Sequence, residues 1–196
     1  FILILLFISS ESHGAGDDYL DMDITQLMNV VVTSVAKKEQ KLTDAAAAVF
    51  VISHDDIKRS GVAHIADALA MAPGLQVSKI SASKWSVSAR GFAGYTSNKL
   101  LILIDGRSVY APAYSGTFWD MQHIMLEDVE RIEVIRGPGG SLWGTNAVNG
   151  VINIITKKAD ETQGSVAQGG VGTQEKLQGA FRHGAKVGED IYARGY

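Results

Sequence analysis

The stretch that decides the fold class is residues 129–156, which read VERIEVIRGPGGSLWGTNAVNGVINIIT. Its first part contains the β-prone run IEVI, and this run stops at the turn sequence GPGG of residues 137–140. A second run of the same type, VINII, follows at residues 151–155. The stretch therefore predicts two strands separated by a glycine-rich turn.

Further toward the N terminus, the sequence predicts one more buried strand and a strand–helix–helix unit. Residues 100–104 (LLILI) are continuously apolar and end at a turn signal, as in a strand buried on both faces. Residues 45–52 (AAAAVFVI) form another apolar run, and Ser53 with Asp56 has the spacing of a capping box. A second helix, apolar at helical spacing, is predicted to stop at Pro73-Gly74.

The N-terminal residues predict an export signal. Residues 1–8 (FILILLFI) are apolar and precede small residues, which is the order of a signal-peptide core and its cleavage zone. Eight apolar residues are far short of the ~20 that a membrane-spanning helix needs. We therefore expect the mature chain to begin near Ala15, with a buried or anchoring helix as the alternative.

Residues 17–29 carry four aspartates and few apolar anchors, so we expect an exposed and mobile segment. The β-prone run that follows it is a candidate for pairing with the sheet edge of another protein, or else the first strand of the domain itself. This run consists of Val30, Val31, Val32, Thr33, Ser34 and Val35.

The pattern of apolar and polar residues changes in the last part of the chain. Residues 165–168, 176–182 and 191–194 interleave apolar and polar side chains, with glycine-bearing turns between them. This alternation is typical of transmembrane β-barrel strands, and also of any antiparallel meander.

Overall composition excludes several classes. The 196 residues contain no cysteine, which excludes disulfides and thiolate metal sites, and the net charge of −3 gives no basic surface for nucleic acid. The GPGGS turn lacks the Lys-Ser/Thr of a phosphate-binding loop. His54, Asp55 and Asp56 fit a helix start, and His64 and His123 have no spaced partner for a zinc site. We expect neither an enzyme nor a cofactor or metal site.

Three ordered blocks resemble TonB-dependent outer-membrane receptors. They are VFVIS (49–53) with the PGL of residues 73–75, SARGF (88–92) with LIDG (103–106), and VERIEVIRGP (129–138) continued by WG and NGVINIIT (149–156). The resemblance implies an α+β plug domain, a small mixed sheet with short helices, followed by the first antiparallel strands of a transmembrane β-barrel of about 22 strands. The implied divisions are a partial signal peptide (1–15), a flexible segment (16–44), the plug (45–158) and the incomplete start of the barrel (159–196).

The resemblance also implies a function and partners. We expect an outer-membrane transporter of a Gram-negative bacterium, with the plug inside the barrel, the N terminus in the periplasm and outer-membrane lipid around the barrel. Its cargo would be a ferric siderophore or similar metal chelate, with cobalamin or haem as alternatives, and a metal chelate would be cargo rather than cofactor. TonB, driven by the inner-membrane proton-motive force, would pair with the run from Val30 to Val35 as its TonB box. A ligand-sensing receptor without transport is the other class.

Individual residues take expected roles from the same resemblance. Trp85, Tyr95, Tyr110, Tyr114 and Trp119 are predicted to bind substrate at the extracellular apices, although Tyr110 and Trp119 could instead pack the plug against the barrel. Arg90 and Arg136 are predicted to pair with barrel glutamates; without those partners they would seek solvent or acids such as Glu130 and Glu133. Structural turn positions are predicted at Gly91, Gly106, Gly137, Gly144 and Gly150.

Overall fold

The computed structural model describes residues 31–32, 40–41, 48–91, 94–96, 98–172, 178–188 and 191–196. The predicted signal peptide and acidic leader lie outside these residues. Twelve strands are described: β1 Val31–Val32, β2 Gln40–Lys41, β3 Ala48–Ser53, β4 Leu75–Ser81, β5 Lys84–Ala89, β6 Leu100–Ile104, β7 Arg107–Ser108, β8 Val129–Arg136, β9 Gly150–Thr156, β10 Gly164–Gly170, β11 Gln178–Lys186 and β12 Tyr192–Gly195.

Helices are short in the described part of the chain. The α-helices are α1 His54–Ser60, α2 Ile65–Ala68 and α3 Gly140–Trp143, and 3-10 turns lie at Leu69–Met71, Pro112–Tyr114, Trp119–Met121 and Leu126–Asp128. No helix among these residues has the length and hydropathy needed to cross a membrane.

A five-stranded mixed sheet forms the centre, in the order β3-β8-β9-β6-β7. The two strands of the deciding stretch, β8 and β9, pair antiparallel, with Val134 opposite Ile152. β6 pairs with β9 in parallel, and Ile102 lies opposite Ile152. The predicted α+β fold with a small mixed sheet and short helices is confirmed.

The capping box predicted at Ser53 is present. The backbone N–H of Ser53 donates to Asp56 at 2.9 Å, and the backbone N–H of Asp56 donates to the Ser53 hydroxyl at 3.1 Å. α1 ends at Gly61, which has a φ of +66°. The second helix is shorter than predicted, because α2 ends at Ala68 and continues as a 3-10 turn before Pro73.

The main core lies between one face of the sheet, the helices α1 and α2, and the β4–β5 hairpin. Its largest fully buried members include Ile52, Leu69, Ile102 and Ile154. Each such side chain contributes about 1.5–3 kcal/mol of burial free energy. A smaller cluster, Leu101, Leu103, Ile135, Ala147 and Val151, lies on a second face.

The last three strands, β10, β11 and β12, form a separate antiparallel meander. The predicted alternating strands are therefore present, but the middle one is described over residues 178–186 rather than 176–182. Exposed apolar side chains on the meander include Phe181 and Ile191, which are 56% and 64% exposed.

Candidate functional site

Two loops between β5 and β8 bring together several of the aromatic side chains predicted to bind substrate. The longer loop contains the 3-10 turn Pro112–Tyr114, closed by a bridge in which the backbone N–H of Ala111 donates to the carbonyl of Gly116 at 2.8 Å. Pro112 stands at the first turn, where its fixed φ suits a helix start. This turn leaves Tyr114 67% exposed at the surface.

The shorter loop, residues 94–96, packs against this turn. The Ser86 hydroxyl donates to the carbonyl of Gly94 at 2.7 Å, which ties the loop to β5. At Gly116, an added Cβ would overlap the Thr96 side chain and lie 3.0 Å from the Thr96 carbonyl carbon. The two loops can therefore meet only because residue 116 is glycine.

Three rings form a chain across the two loops. The Tyr95 and Phe118 rings lie edge to face at 5.4 Å between centroids, and the Tyr114 and Phe118 rings at 5.3 Å. This geometry is the preferred one for aromatic pairs. We call these three residues the apical aromatic cluster. Phe118 was missed by sequence reasoning, since nothing in its spacing separates it from the other rings in this loop.

Charged groups border the apical aromatic cluster. The Tyr95 hydroxyl lies 3.4 Å from both carboxylate oxygens of Asp120. Desolvation, together with the Asp120 carboxylate, raises the pKa of the Tyr95 hydroxyl, so the ring stays neutral. The Lys84 ammonium lies 5.0 Å from the centroid of the Tyr95 ring. The cluster thus offers an aromatic surface with one cation at its edge.

Trp85 and Trp119 do not share this exposure. Trp85 is 4% exposed; its ring stacks on His64 at 3.9 Å, and its indole N–H donates to Asp67 at 2.7 Å. Trp119 is 1% exposed. The prediction that these two rings face substrate is corrected, because both are enclosed in the main core. Tyr110 is half-buried beside the loop and keeps both of its predicted alternatives.

The two arginines predicted to face the barrel lie at the ends of strands. Arg90 follows β5 with a φ of +57°, and Arg136 is the last residue of β8; both are exposed. The ends of β5 and β8 lie close together. The Asn149 side chain donates to the carbonyl of Ala89, the last residue of β5, at 3.0 Å, and the next residue, Gly150, pairs with Arg136. Pairing of these cations with barrel carboxylates stays a prediction.

Glu130 and Glu133 are not available to these two arginines. Both pair with Arg131 instead: its Nε donates to the Glu133 carboxylate at 2.9 Å, and its Nη1 contacts Glu130. Glu133 is fully buried in the sheet, so this ion pair is structural. Of the alternatives given for Arg90 and Arg136, the structure has both side chains exposed to solvent, while Glu130 and Glu133 contact Arg131.

The predicted glycine turns fall into two physical cases. Gly91, Gly106, Gly137 and Gly144 have φ values of +82°, +76°, +119° and +95°. Gly150 differs, because an added Cβ would lie 2.5 Å from the Ile135 carbonyl oxygen across the β8–β9 ladder. Close approach of backbone, rather than positive φ, therefore requires glycine there.

Comparison with known proteins decides the family. Residues 41–151, more than half of the chain, match the TonB-dependent receptor plug domain. The chain belongs to this family. The two loops described above and most of the central mixed sheet lie within the matched residues.

Several individual receptors are similar to this chain in sequence or structure. The chain is 34% identical to the vitamin B12 transporter BtuB of Vibrio vulnificus. The aligned region covers 90% of this chain and 28% of that relative. The chain is 36% identical to the iron-regulated outer membrane virulence protein of Vibrio cholerae over 73% of its length and 22% of that relative.

The solved structure of the ferric-catecholate import receptor Fiu from E. coli K12 matches with a TM-score of 0.60 and 28% identity. It covers 82% of the chain and 22% of that receptor. The chain thus spans between 22% and 28% of the length of these three relatives. None of the three is named as an enzyme.

The described part of the candidate TonB box is paired within the chain. Val31 lies opposite Lys41 and Val32 opposite Gln40 in a ladder of two residue pairs, and Val32 is fully buried. This two-stranded sheet is separate from the central sheet, and both alternatives for the run, a TonB box and a first strand of the domain, stay predictions. Val30, Thr33, Ser34 and Val35 lie outside the described residues.

The aspartate of the plug's LIDG motif has a structural role that the sequence did not indicate. Asp105 has a φ of +49°, and its carboxylate accepts hydrogen bonds from the backbone N–H of Thr156 at 2.8 Å and from the Thr156 hydroxyl at 3.0 Å. The motif therefore ties the turn after β6 to the last residue of β9.

Proposed function

We propose that this chain is the plug and the first barrel strands of a TonB-dependent outer-membrane transporter for a metal chelate. The observation that carries the proposal is the plug domain match over residues 41–151, joined to an exposed apical aromatic cluster. Aromatic faces at a concave or apical surface suit large, partly apolar ligands. Outer-membrane location, with the plug inside the barrel and the N terminus in the periplasm, is part of this proposal.

Within the apical aromatic cluster, we propose that Tyr114 makes the principal cargo contact. It is the most exposed of the three rings, and Phe118 holds it from the inside. Tyr95 is held by Asp120 and Lys84, so it provides a fixed neighbouring surface. Cargo bound here would contact both loops at once.

A ferric siderophore is the first cargo candidate, because the chain is 28% identical to the ferric-catecholate import receptor Fiu, and the rings of the cluster offer a surface on which a chelate could pack. Cobalamin is the second candidate. It is favoured by the 34% identity to the B12 transporter, which extends over 90% of this chain.

TonB is the proposed partner for the run from Val30 to Val35. The two-residue ladder between β1 and β2 is short, and a ladder of this size is marginal on its own. Its release would free Val31 and Val32 to pair with the sheet edge of another protein. A ligand sensor that does not transport would also have to release the β1–β2 ladder. The two functions are therefore distinguished by measuring cargo uptake.

The test is cargo uptake by the full-length receptor in cells that lack their own receptors for the same cargo. Ferric siderophores and cobalamin are supplied separately, with and without functional TonB. TonB-dependent accumulation of one cargo supports transport and identifies its class. Cargo binding at the cell surface with no accumulation would favour a sensor, and unchanged uptake after deletion of residues 30–35 would reject the box.

A further inference from the structure

The meander presents two arginines and one glycine toward the plug. Arg182 and Gly184 lie two residues apart on β11, so they share one face of the strand, and Gly184 is paired with Arg194 of β12. Arg182 is 6% exposed although it lies on a strand with exposed neighbours. These side chains point at the segment that joins the plug to the meander, residues 156–162.

Arg182 contacts both the plug and the joining segment. Its Nη1 donates to the carbonyl of Thr162 at 2.6 Å and lies 3.4 Å from the carboxylate of Asp128. Asp128 belongs to the plug, where it ends the 3-10 turn before β8. The side chains of Arg182 and Asp128 are only 7% and 1% exposed, so their ion pair is buried; the Asp128 carboxylate also interacts with Tyr196 and Lys157.

Arg194 holds the other end of the same segment. Its Nη1 donates to the carbonyl of Lys157 at 2.8 Å, and its Nη2 donates to the Thr156 hydroxyl at 3.2 Å. The Thr156 hydroxyl in turn donates to Asp105 of the LIDG motif. A guanidinium with several fixed donors is suited to holding backbone carbonyls in this way.

Gly184 lets the joining segment lie directly on β11. An added Cβ at this position would overlap the carbonyl oxygen of Thr162 and lie 3.0 Å from the Cα of Gln163. Lys157 adds a backbone bond within the plug, since its N–H donates to the carbonyl of Asp128 at 2.8 Å. The segment is thus fixed on both sides.

We propose that Arg182 and Arg194, with Asp128, form a fixed joint between the C-terminal end of the plug and the first barrel strands, and that this joint stays closed while cargo passes. Opening it would break the buried ion pair between Arg182 and Asp128, and would free the hydrogen-bonded carbonyls of Thr162 and Lys157. The statement about cargo rests on the proposed transport function; the joint itself does not.

The joint is tested first by stability, using the full-length receptor purified in detergent. Arg182→Ala and Arg194→Ala are each expected to lower the temperature at which the plug unfolds, and the double variant to lower it further. Lys186→Ala is the matched control, because Lys186 is an exposed cation on β11 whose ammonium lies over the exposed Tyr192 ring in the described part of the chain. Equal unfolding temperatures for the double variant, the control and the unmodified receptor would overturn the joint.

Closure during transport is tested by covalent tethering. Asp128→Cys with Arg182→Cys, and separately Lys157→Cys with Arg194→Cys, place one cysteine on each side of the joint. These 196 residues contain no cysteine, and any cysteine elsewhere in the full-length receptor is first replaced by serine. A bismaleimide with a cleavable spacer then links the two cysteines across the joint covalently. If the variant with the first cysteine pair does not fold, the variant with the second pair is used.

The expected result is that tethered receptors take up cargo at least as fast as the same variants without the tether. Uptake that stops on tethering and returns when the spacer is cleaved would overturn the claim that the joint stays closed. If the unmodified receptor accumulates no metal chelate, the proposed transport function fails, while the unfolding temperatures still decide whether the joint exists.

Discussion

Gly116 lies so close to Thr96 that its α-carbon has no room for a side chain. This contact joins the two loops that carry Tyr114 and Tyr95, and Phe118 packs between those rings. The shape of the apical aromatic cluster therefore depends on a glycine that is not itself part of the proposed contact surface.

Gly116→Ala is expected to separate the two loops and weaken cargo binding. The overlap with Thr96 requires a backbone shift, and overpacking of this kind costs about 1–3 kcal/mol. Binding is measured on the purified receptor with the cargo identified by uptake. Gly94→Ala is the matched control, because a Cβ there would meet only ordinary contact at 3.8 Å. Equal affinities for the two variants would contradict the role of the loop contact.

Exposed and buried rings are expected to respond in opposite ways. Tyr114→Ala should weaken cargo binding with little change in stability, because the side chain is 67% exposed. Trp85→Ala should destabilise the plug by about 3–5 kcal/mol, since it removes a core ring and its bond to Asp67. Affinity and thermal unfolding are measured on both variants. Unchanged binding by Tyr114→Ala would exclude it from the cargo site.

Arg131→Ala is expected to destabilise the plug strongly. It removes the guanidinium that pairs with the fully buried carboxylate of Glu133, and loss of one partner of a buried pair costs about 3–5 kcal/mol. Arg107→Ala is the control, because Arg107 is exposed on β7. Chemical denaturation compares the two, and similar midpoints would show that the Arg131–Glu133 pair carries little stability.

At Asp105, backbone conformation and hydrogen bonding can be separated by three substitutions. Asn tolerates the left-handed conformation and keeps one acceptor, Gly keeps the conformation alone, and Ala keeps neither. We expect stability to fall in the order Asn, Gly, Ala, with the last step worth about 1–2 kcal/mol, the cost of the left-handed conformation for a residue with a Cβ. The order is read from denaturation midpoints, and equal values for Gly and Ala would mean that the φ of +49° is not strained.

The lowered pKa of Lys157 predicts that the stability of the folded chain depends on pH above neutrality. Burial lowers its pKa below the ordinary value of 10.5, while Glu127 and Asp128 act in the opposite direction. A lysine that is harder to protonate when folded binds fewer protons than in the unfolded chain. Stability should therefore rise with pH in the window just below 10.5. Thermal unfolding of the receptor and of Lys157→Met across this window should differ in slope, and parallel curves would contradict the assignment.

The sequence predicted the elements whose signals are local. Residues 100–104 and 151–155 are short apolar runs bounded by turn residues, and both are buried strands. The capping box at Ser53 was also readable, because its two partners are three residues apart. The parallel pairing of β6 with β9 was not, because nothing in either run indicates its neighbour.

Site residues were harder to predict for the same reason. Composition shows that the loop of residues 110–119 is aromatic, but which rings face outward depends on the turn at Pro112–Tyr114 and on contacts with residues 94–96. Trp119 and Tyr114 therefore look equivalent in the sequence, although one is buried and the other exposed. The contacts of Arg182 and Arg194 join residues far apart in the chain, so no spacing could reveal them.

The position of β9 has a consequence for biogenesis. It is the last plug strand in chain order, yet it lies between β8 and β6, and β6 and β7 reach the rest of the sheet only through it. The centre of the sheet must stay open until residues 150–156 are available to pair. Until then the edges of β6 and β8 that pair with β9 are unpaired together, so the order in which the chain becomes available controls when the sheet can close.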